Sequence, residues 1–107
     1  MFARLVECRV QSGKRDELDR VIRDQAIPIL RKQTGFVDEI TLVSENEPNR
    51  IFAISFWNSK ADAEKYNRDN FPKIAESLRP VLQEEARVHP CNVSISTISK
   101  ISAEKAA

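Results

Sequence analysis

A two-layer α+β domain, with one antiparallel sheet and its helices on a single face, is the fold class that the 107-residue sequence predicts. Three observations lead there. Four short apolar runs have strand character, two longer segments between them have helical spacing, and the middle two runs are joined by the turn-rich stretch "ENEPNR". The order is therefore βαββαβ, a split-βαβ or ferredoxin-like arrangement.

Each element has its own signal. In residues 2–11, Phe2, Val6, Cys8 and Val10 alternate with Ala3, Leu5, Glu7 and Arg9, which is the period of a strand. "QSGK" ends it, with Gly13 as breaker and Ser12 as a helix cap. Leu18, Val21, Ile22, Ile29 and Leu30 then follow helical spacing. Asp16 and Glu17 near the start and Arg31 and Lys32 near the end suit the helix dipole. Pro28 should kink this helix, because its ring removes a donor and crowds the carbonyl four residues back. Thr34 and Gly35 release the chain.

"FVDEITLVS" and "RIFAISFW" read as strands two and three, a hairpin turning at Pro48 and Asn49. Ser59 starts a second helical region, with Asp62 completing an approximate capping box. Pro72 should break that region near "NRDNFP", since proline opens a helix better than it continues one. Ile74, Leu78, Val81 and Leu82 carry the next apolar stripe, interrupted by Pro80. His89 must be extended before Pro90, and "CNVSISTIS" reads as the fourth strand. Residues 2–100 thus form one domain, and 101–107 fray.

Strand three is apolar on both faces. Phe52, Ile54 and Phe56 point one way; Ile51, Ala53 and Trp57 point the other. A sheet covered by helices on one side should be polar on the other, so something besides water is expected there. In so short a chain a second copy is the natural cover, which predicts a homodimer through the sheet face.

Composition excludes several classes. The 17 basic and 16 acidic residues are interleaved, giving no one-signed patch for nucleic acid or a membrane surface. No apolar run approaches the roughly 20 residues of a bilayer span, and the start is too charged for a signal peptide. Two distant cysteines without an export signal imply a reduced, cytoplasmic setting. A chain with two glycines has no phosphate-cradling loop.

His89, the only histidine, shares a strand face with Cys91, and antiparallel pairing of strands one and four is expected to bring Cys8 near Cys91. The spacing fits no zinc signature, so no metal is expected, and two free, half-buried cysteines are the plainer reading. As the only imidazole, His89 would have to serve any Ser-His or Cys-His pair, and a surface histidine fits it better. "RIFAISF" resembles the aromatic third strand of an RNA-recognition motif, but lacks its glycine and any net basic charge, so no nucleic acid is expected. What remains is the set around Trp57: Tyr66 and Asn67 on the helix, Phe71 after the break, Glu7 and Arg9 on strand one. A cleft between sheet and helices could admit a flat ligand there. Alternatively the aromatics simply staple helix to strand.

"SGKRDEL", "IPILRKQTGFVD" and "FAISFWNSKADAEKY" resemble the antibiotic biosynthesis monooxygenase (ABM) type of dimeric α/β-barrel protein, over roughly residues 2–99. The resemblance implies face-to-face pairing of two sheets. For enzymes of the family it implies cofactor-free oxygenation of electron-rich aromatics or quinols through a substrate carbanion. Trp57 matches the family's aromatic at the end of strand three, and Tyr66 and Asn67 fall where members carry polar residues. A similar haem-degrading branch has an asparagine on strand one, a tryptophan on helix two and a later histidine. This chain has Val6 or Glu7, Tyr66, and Ala75 or Glu76 in those places. With no histidine on helix two, Glu7 or Tyr66 would have to be the base. The expectation is a monooxygenase using no cofactor on a small aromatic or quinol-type compound. Tyr66 and Glu7 are its catalytic residues, and Trp57, Asn67, Arg9 and Phe71 line the substrate. The alternative is a non-catalytic ligand-binding or dimerisation module of the same fold.

Overall fold

The computed structural model describes residues 1–101. Strand β1 (Phe2–Arg9) leads to a first helical layer, β2 (Phe36–Val43) and β3 (Arg50–Trp57) form the hairpin, a second helical layer follows, and β4 (Arg87–Asn92) closes the sheet. The strand order β2-β3-β1-β4, all antiparallel, is the ferredoxin-like α+β arrangement. The predicted fraying beyond residue 101 lies outside the described residues, and Ile101 itself is buried.

Proline chemistry shapes both helical layers. The first runs as α1 (Arg15–Val21), a π-helical turn (Ile22–Ala26) and α2 (Ile27–Arg31). The wide turn sits just upstream of Pro28, where the chain must absorb a missing donor and a crowded carbonyl. The expected kink is thus a π-bulge. Ser12 does not cap the helix. Lys14 stands at the cap without a side-chain hydrogen bond, since Gly13, at φ 79°, turns the chain between them.

The second layer is α3 (Lys60–Asp69) and α4 (Phe71–Leu78), divided at Asn70 with Pro72 in the first turn of α4. The capping box forms as expected: Ser59 Oγ accepts from Asp62 N at 3.2 Å and donates to Asp62 Oδ2 at 2.9 Å. Pro80 ends α4 in a 3₁₀ turn, Arg79–Val81.

The period of two in β1 sends Phe2, Val6 and Cys8 to the helices. There they pack with Leu18, Ala26, Ile51, Ile74 and Leu78 in one cluster and with Leu30, Trp57, Ala63 and Tyr66 in another. The opposite sheet face carries Leu5, Ile40, Leu42, Phe52, Ile54 and Phe56, paired side by side across β1, β3 and β2. Ile40 and Leu42 there are exposed in the single chain.

The fourth strand is Arg87–Asn92, not the predicted 91–99. Antiparallel pairing with β1 matches Glu7 to Arg87 and Phe2 to Asn92, so β1 ends as a template where Asn92 is reached. "VSISTI" keeps its alternation with no strand left to join, and Ile95 is 87% exposed. Pro90 is tolerated because β4 is an edge strand. The same register overturns the expected Cys8–Cys91 approach. Cys91 lies opposite Ala3, five residues or roughly 17 Å along β1 from Cys8, and on the other face. Both cysteines are free, Cys8 buried and Cys91 exposed.

No helix among the described residues is long and apolar enough to cross a membrane. None of their His, Cys, Asp and Glu side chains form a group of three or more that could hold a metal ion.

Candidate functional site

A cavity of about 50 Å³ lies between the sheet and the helices. Val6, Cys8, Ile51, Ala53 and helix residues Leu18, Ile22, Ala26, Leu30, Ile74 and Leu78 make most of its wall apolar. Its polar lining comes from Arg4, Glu39, Ser55 and Tyr66. Three of these form one row across the sheet, because the register pairs Arg4 with Ser55 and Ser55 with Glu39. The cavity meets both helix interruptions: Ile22 and Ala26 bound the π turn, and Phe71 opens α4. Irregular helix of this kind is common beside ligand sites.

Arg4 dominates the electrostatics. It is 4% exposed, on the helix-facing side of β1 between Phe2 and Val6. Its guanidinium carbon lies 5.0 Å from the Tyr66 ring centre and 4.6 Å from that of Phe71. Nη2 donates to Asn67 Oδ1 at 2.8 Å, and Nε is buried with no partner among the described residues. Burial pulls the Arg4 pKa below its ordinary value, partly offset by Tyr66. Arg4 is also part of the wall of an outer groove of about 510 Å³, lined by Lys60, Asn67, Val88 and Asn92 among others.

Burial pushes the Tyr66 phenol above its usual pKa, with Arg4 opposing and Glu39 adding to the rise. At neutral pH Tyr66 therefore offers a hydrogen-bond donor, not a base. Burial also raises Glu39, against a hydrogen bond donated by Thr41 at 2.9 Å and with a further push from Asp38. A carboxyl whose pKa is raised beside a cavity is a stronger base once ionised, which suits proton transfer.

The residues singled out in the sequence divide between the two faces. Tyr66 and Phe71 line the cavity, and Asn67 lines the groove and holds Arg4. Trp57 is fully buried behind them and is not part of the cavity wall. Its ring centre is 5.3 Å from that of Tyr66 and 5.6 Å from that of Phe36, and its Nε1 donates to Ser55 Oγ at 2.9 Å. It thus orients two cavity residues instead of lining the space. Glu7 and Arg9 are placed on the opposite face by the two-residue period. Glu7 accepts from Arg50 at 2.9 Å and lies 3.4 Å from His89, while Arg9 pairs with Glu47 and Glu84. Burial alone would raise Glu7, but the hydrogen bonds from Arg50 and His89 outweigh it and hold its pKa low. Neither residue meets Tyr66 across the cavity. Arg4, Ser55 and Glu39 were missed by sequence reasoning. Arg4 left one signal: its even position shares a face with Phe2, Val6 and Cys8.

The family model described as "Antibiotic biosynthesis monooxygenase" matches residues 1–79. No curated protein matches the chain. Among solved structures, a variant of SnoaB, a cofactor-independent oxygenase from Streptomyces nogalater, superimposes with a TM-score of 0.75 at 18% identity, covering 90% of this chain and 95% of that one. A conserved protein from Methanosarcina mazei gives 0.72 at 18% identity, over 85% and 91% of the two chains. A Mycobacterium tuberculosis protein gives 0.70 at 12%, over 84% and 91%. The family model matches well over half of the chain and the solved structures share its fold, so the protein belongs to the antibiotic biosynthesis monooxygenase family.

Proposed function

We propose that the protein is a cofactor-independent monooxygenase acting on a small aromatic or quinol-type compound bound between sheet and helices. The observation that carries this reading is the apolar cavity whose polar groups, Arg4, Ser55, Glu39 and Tyr66, converge from neighbouring positions. The likeness to a cofactor-independent oxygenase supports it.

In this reading Glu39 takes a proton from the substrate carbon, and Arg4, Ser55 and the Tyr66 hydroxyl stabilise the resulting oxyanion form. The carbanion adds molecular oxygen and is protonated to a hydroperoxide, which loses water to leave a carbonyl. Overall, R₂CH₂ and O₂ give R₂C=O and H₂O, with no external reductant. The apolar wall excludes water that would otherwise quench the carbanion. Asn67 and Phe71 hold Arg4 in place from α3 and α4, and Trp57 fixes Tyr66 and Ser55 from behind. Two copies pair through the face bearing Ile40, Leu42 and Ile54, leaving one cavity in each protomer.

Oxygen uptake by purified protein on a panel of quinols and anthrone-type carbon acids tests the reaction, with sizing in the same buffer. A dimer that consumes oxygen, and loses at least tenfold in kcat as Tyr66→Phe or Glu39→Gln, is expected. A dimer with no uptake on any panel member refutes the enzyme reading. The tight aromatic packing and the small cavity favour a second reading in that event, a non-catalytic ligand-binding or dimerisation module.

A further inference from the structure

We infer that the cavity takes its ligand as an aromatic anion, an aryloxide or arenecarboxylate, with Arg4 as the counter-charge.

A guanidinium stays protonated under all ordinary conditions, and a buried charge is costly unless it is paired. Arg4 is 96% buried by its 4% exposure, yet no described carboxylate forms a salt bridge with it. Among the described residues its one side-chain hydrogen bond goes to a neutral amide, Asn67 Oδ1, and its Nε has no partner. Two aromatic faces, Tyr66 and Phe71, stabilise the cation only in part. Glu39, the carboxylate of the same cavity, sits one strand further across the sheet, beyond Ser55 of β3, and makes no salt bridge with Arg4. The protomer therefore holds one positive charge, a free N–H donor and an apolar chamber side by side. An anion on a flat apolar body supplies what each lacks, and Arg4 also lines the wider outer groove, so its guanidinium borders both spaces. The chamber's 50 Å³ is below the ~150 Å³ that admits a benzene ring, so binding also requires the interrupted helices to part at Ile22–Ala26 and Asn70.

This rests on the cavity being the ligand site proposed above, but the test needs no turnover. 4-Nitrophenol reports its own ionisation by absorbance. Bound to the wild-type protein it should ionise about one pH unit lower than free, which is a tenfold preference for the phenolate. Benzoate should displace it, and benzamide should compete at least tenfold less well. Asn67→Asp places a carboxylate at the 2.8 Å contact and gives Arg4 an internal partner. That near-isosteric variant should remain folded and abolish the shift, as should Arg4→Met, while Arg4→Lys retains part of it. A purely structural Arg4, clamping helices to the sheet, predicts equal binding of benzoate and benzamide. The inference is overturned by that equality, by a dye that fails to bind or binds with its ionisation unmoved, or by an unchanged shift in Asn67→Asp. A shift without oxygen uptake leaves the anion site standing and removes only the reaction. Uptake on a neutral substrate without the shift removes only the anion site.

Discussion

Replacing Gly35 by alanine should destabilise the protein through two separable effects. Gly35 has φ +79°, where an L side chain is strained by about 1–2 kcal/mol. A Cβ there would also collide with the Asp62 side chain, whose Cβ would be only 2.8 Å away. Clearing the Asp62 carboxyl means turning it away from Ser59 Oγ, so that side-chain bond of the capping box goes as well, at about 1 kcal/mol. The total is roughly 2–3 kcal/mol, or about 10–20 °C in Tm for a domain of this size. Urea unfolding of a double-mutant cycle separates the parts. In an Asp62→Ala background the Ser59–Asp62 side-chain bond is already absent, while the backbone N of residue 62 can still donate to Ser59 Oγ, so Gly35→Ala should cost about 1 kcal/mol less than in the wild type. The backbone strain and the Cβ–Cβ approach persist in both. Equal costs in the two backgrounds, within ~0.3 kcal/mol, would refute the coupling. The turn matters to the site because Gly35 O accepts from Asn58 N at 2.8 Å, next to Trp57.

Glu39 should give the protein a pH signature. Its folded pKa is raised, so the folded state binds the proton more tightly, and the stability this provides is present below the ordinary 4.5 and lost as pH rises through the folded value. Glu39→Gln should therefore be more stable than wild type at pH 7 and show no advantage at pH 4; denaturant midpoints at both pH values check this, and a pH-independent difference would contradict it. The Cys8 thiol, pushed up to about 11 by burial and then by Glu7, should resist a thiol reagent at pH 8 until denaturant is added, and mild oxidation should form no intramolecular Cys8–Cys91 bridge. Ile54→Lys, on the apolar outer face, should convert a dimer to a monomer by light scattering without changing the circular dichroism; a wild-type monomer would remove the basis for a paired sheet.

Local patterns were readable where local chemistry decides the outcome. The capping box at Ser59 and Asp62, the break at Asn70 before Pro72, and the hairpin turning through Pro48 follow from groups within a few residues of one another. The assignment of Phe52, Ile54 and Phe56 to one face and Ile51, Ala53 and Trp57 to the other follows from the period of a strand. That same period placed Arg4 with Phe2 and Val6, but a charged residue there contradicts the usual preference for apolar cores, and no sequence rule names its partners. Glu39 was hidden differently. Nothing in "VDEIT" shows that β3 would carry its neighbours across to Arg4.

The sequence alone determined the order of the elements, the first three strands, where the helices break, and that both sheet faces are apolar, because these depend on propensity, proline sterics and side-chain alternation. Pairing register and convergence were decided only in three dimensions. Where β1 ran out, β4 ended with it, leaving "SISTI" outside the sheet and Cys91 far from Cys8. Burial of Arg4 likewise exists only once β1, α3 and α4 close around it, since desolvation and the lack of a counter-ion are properties of a surrounding, not of a residue.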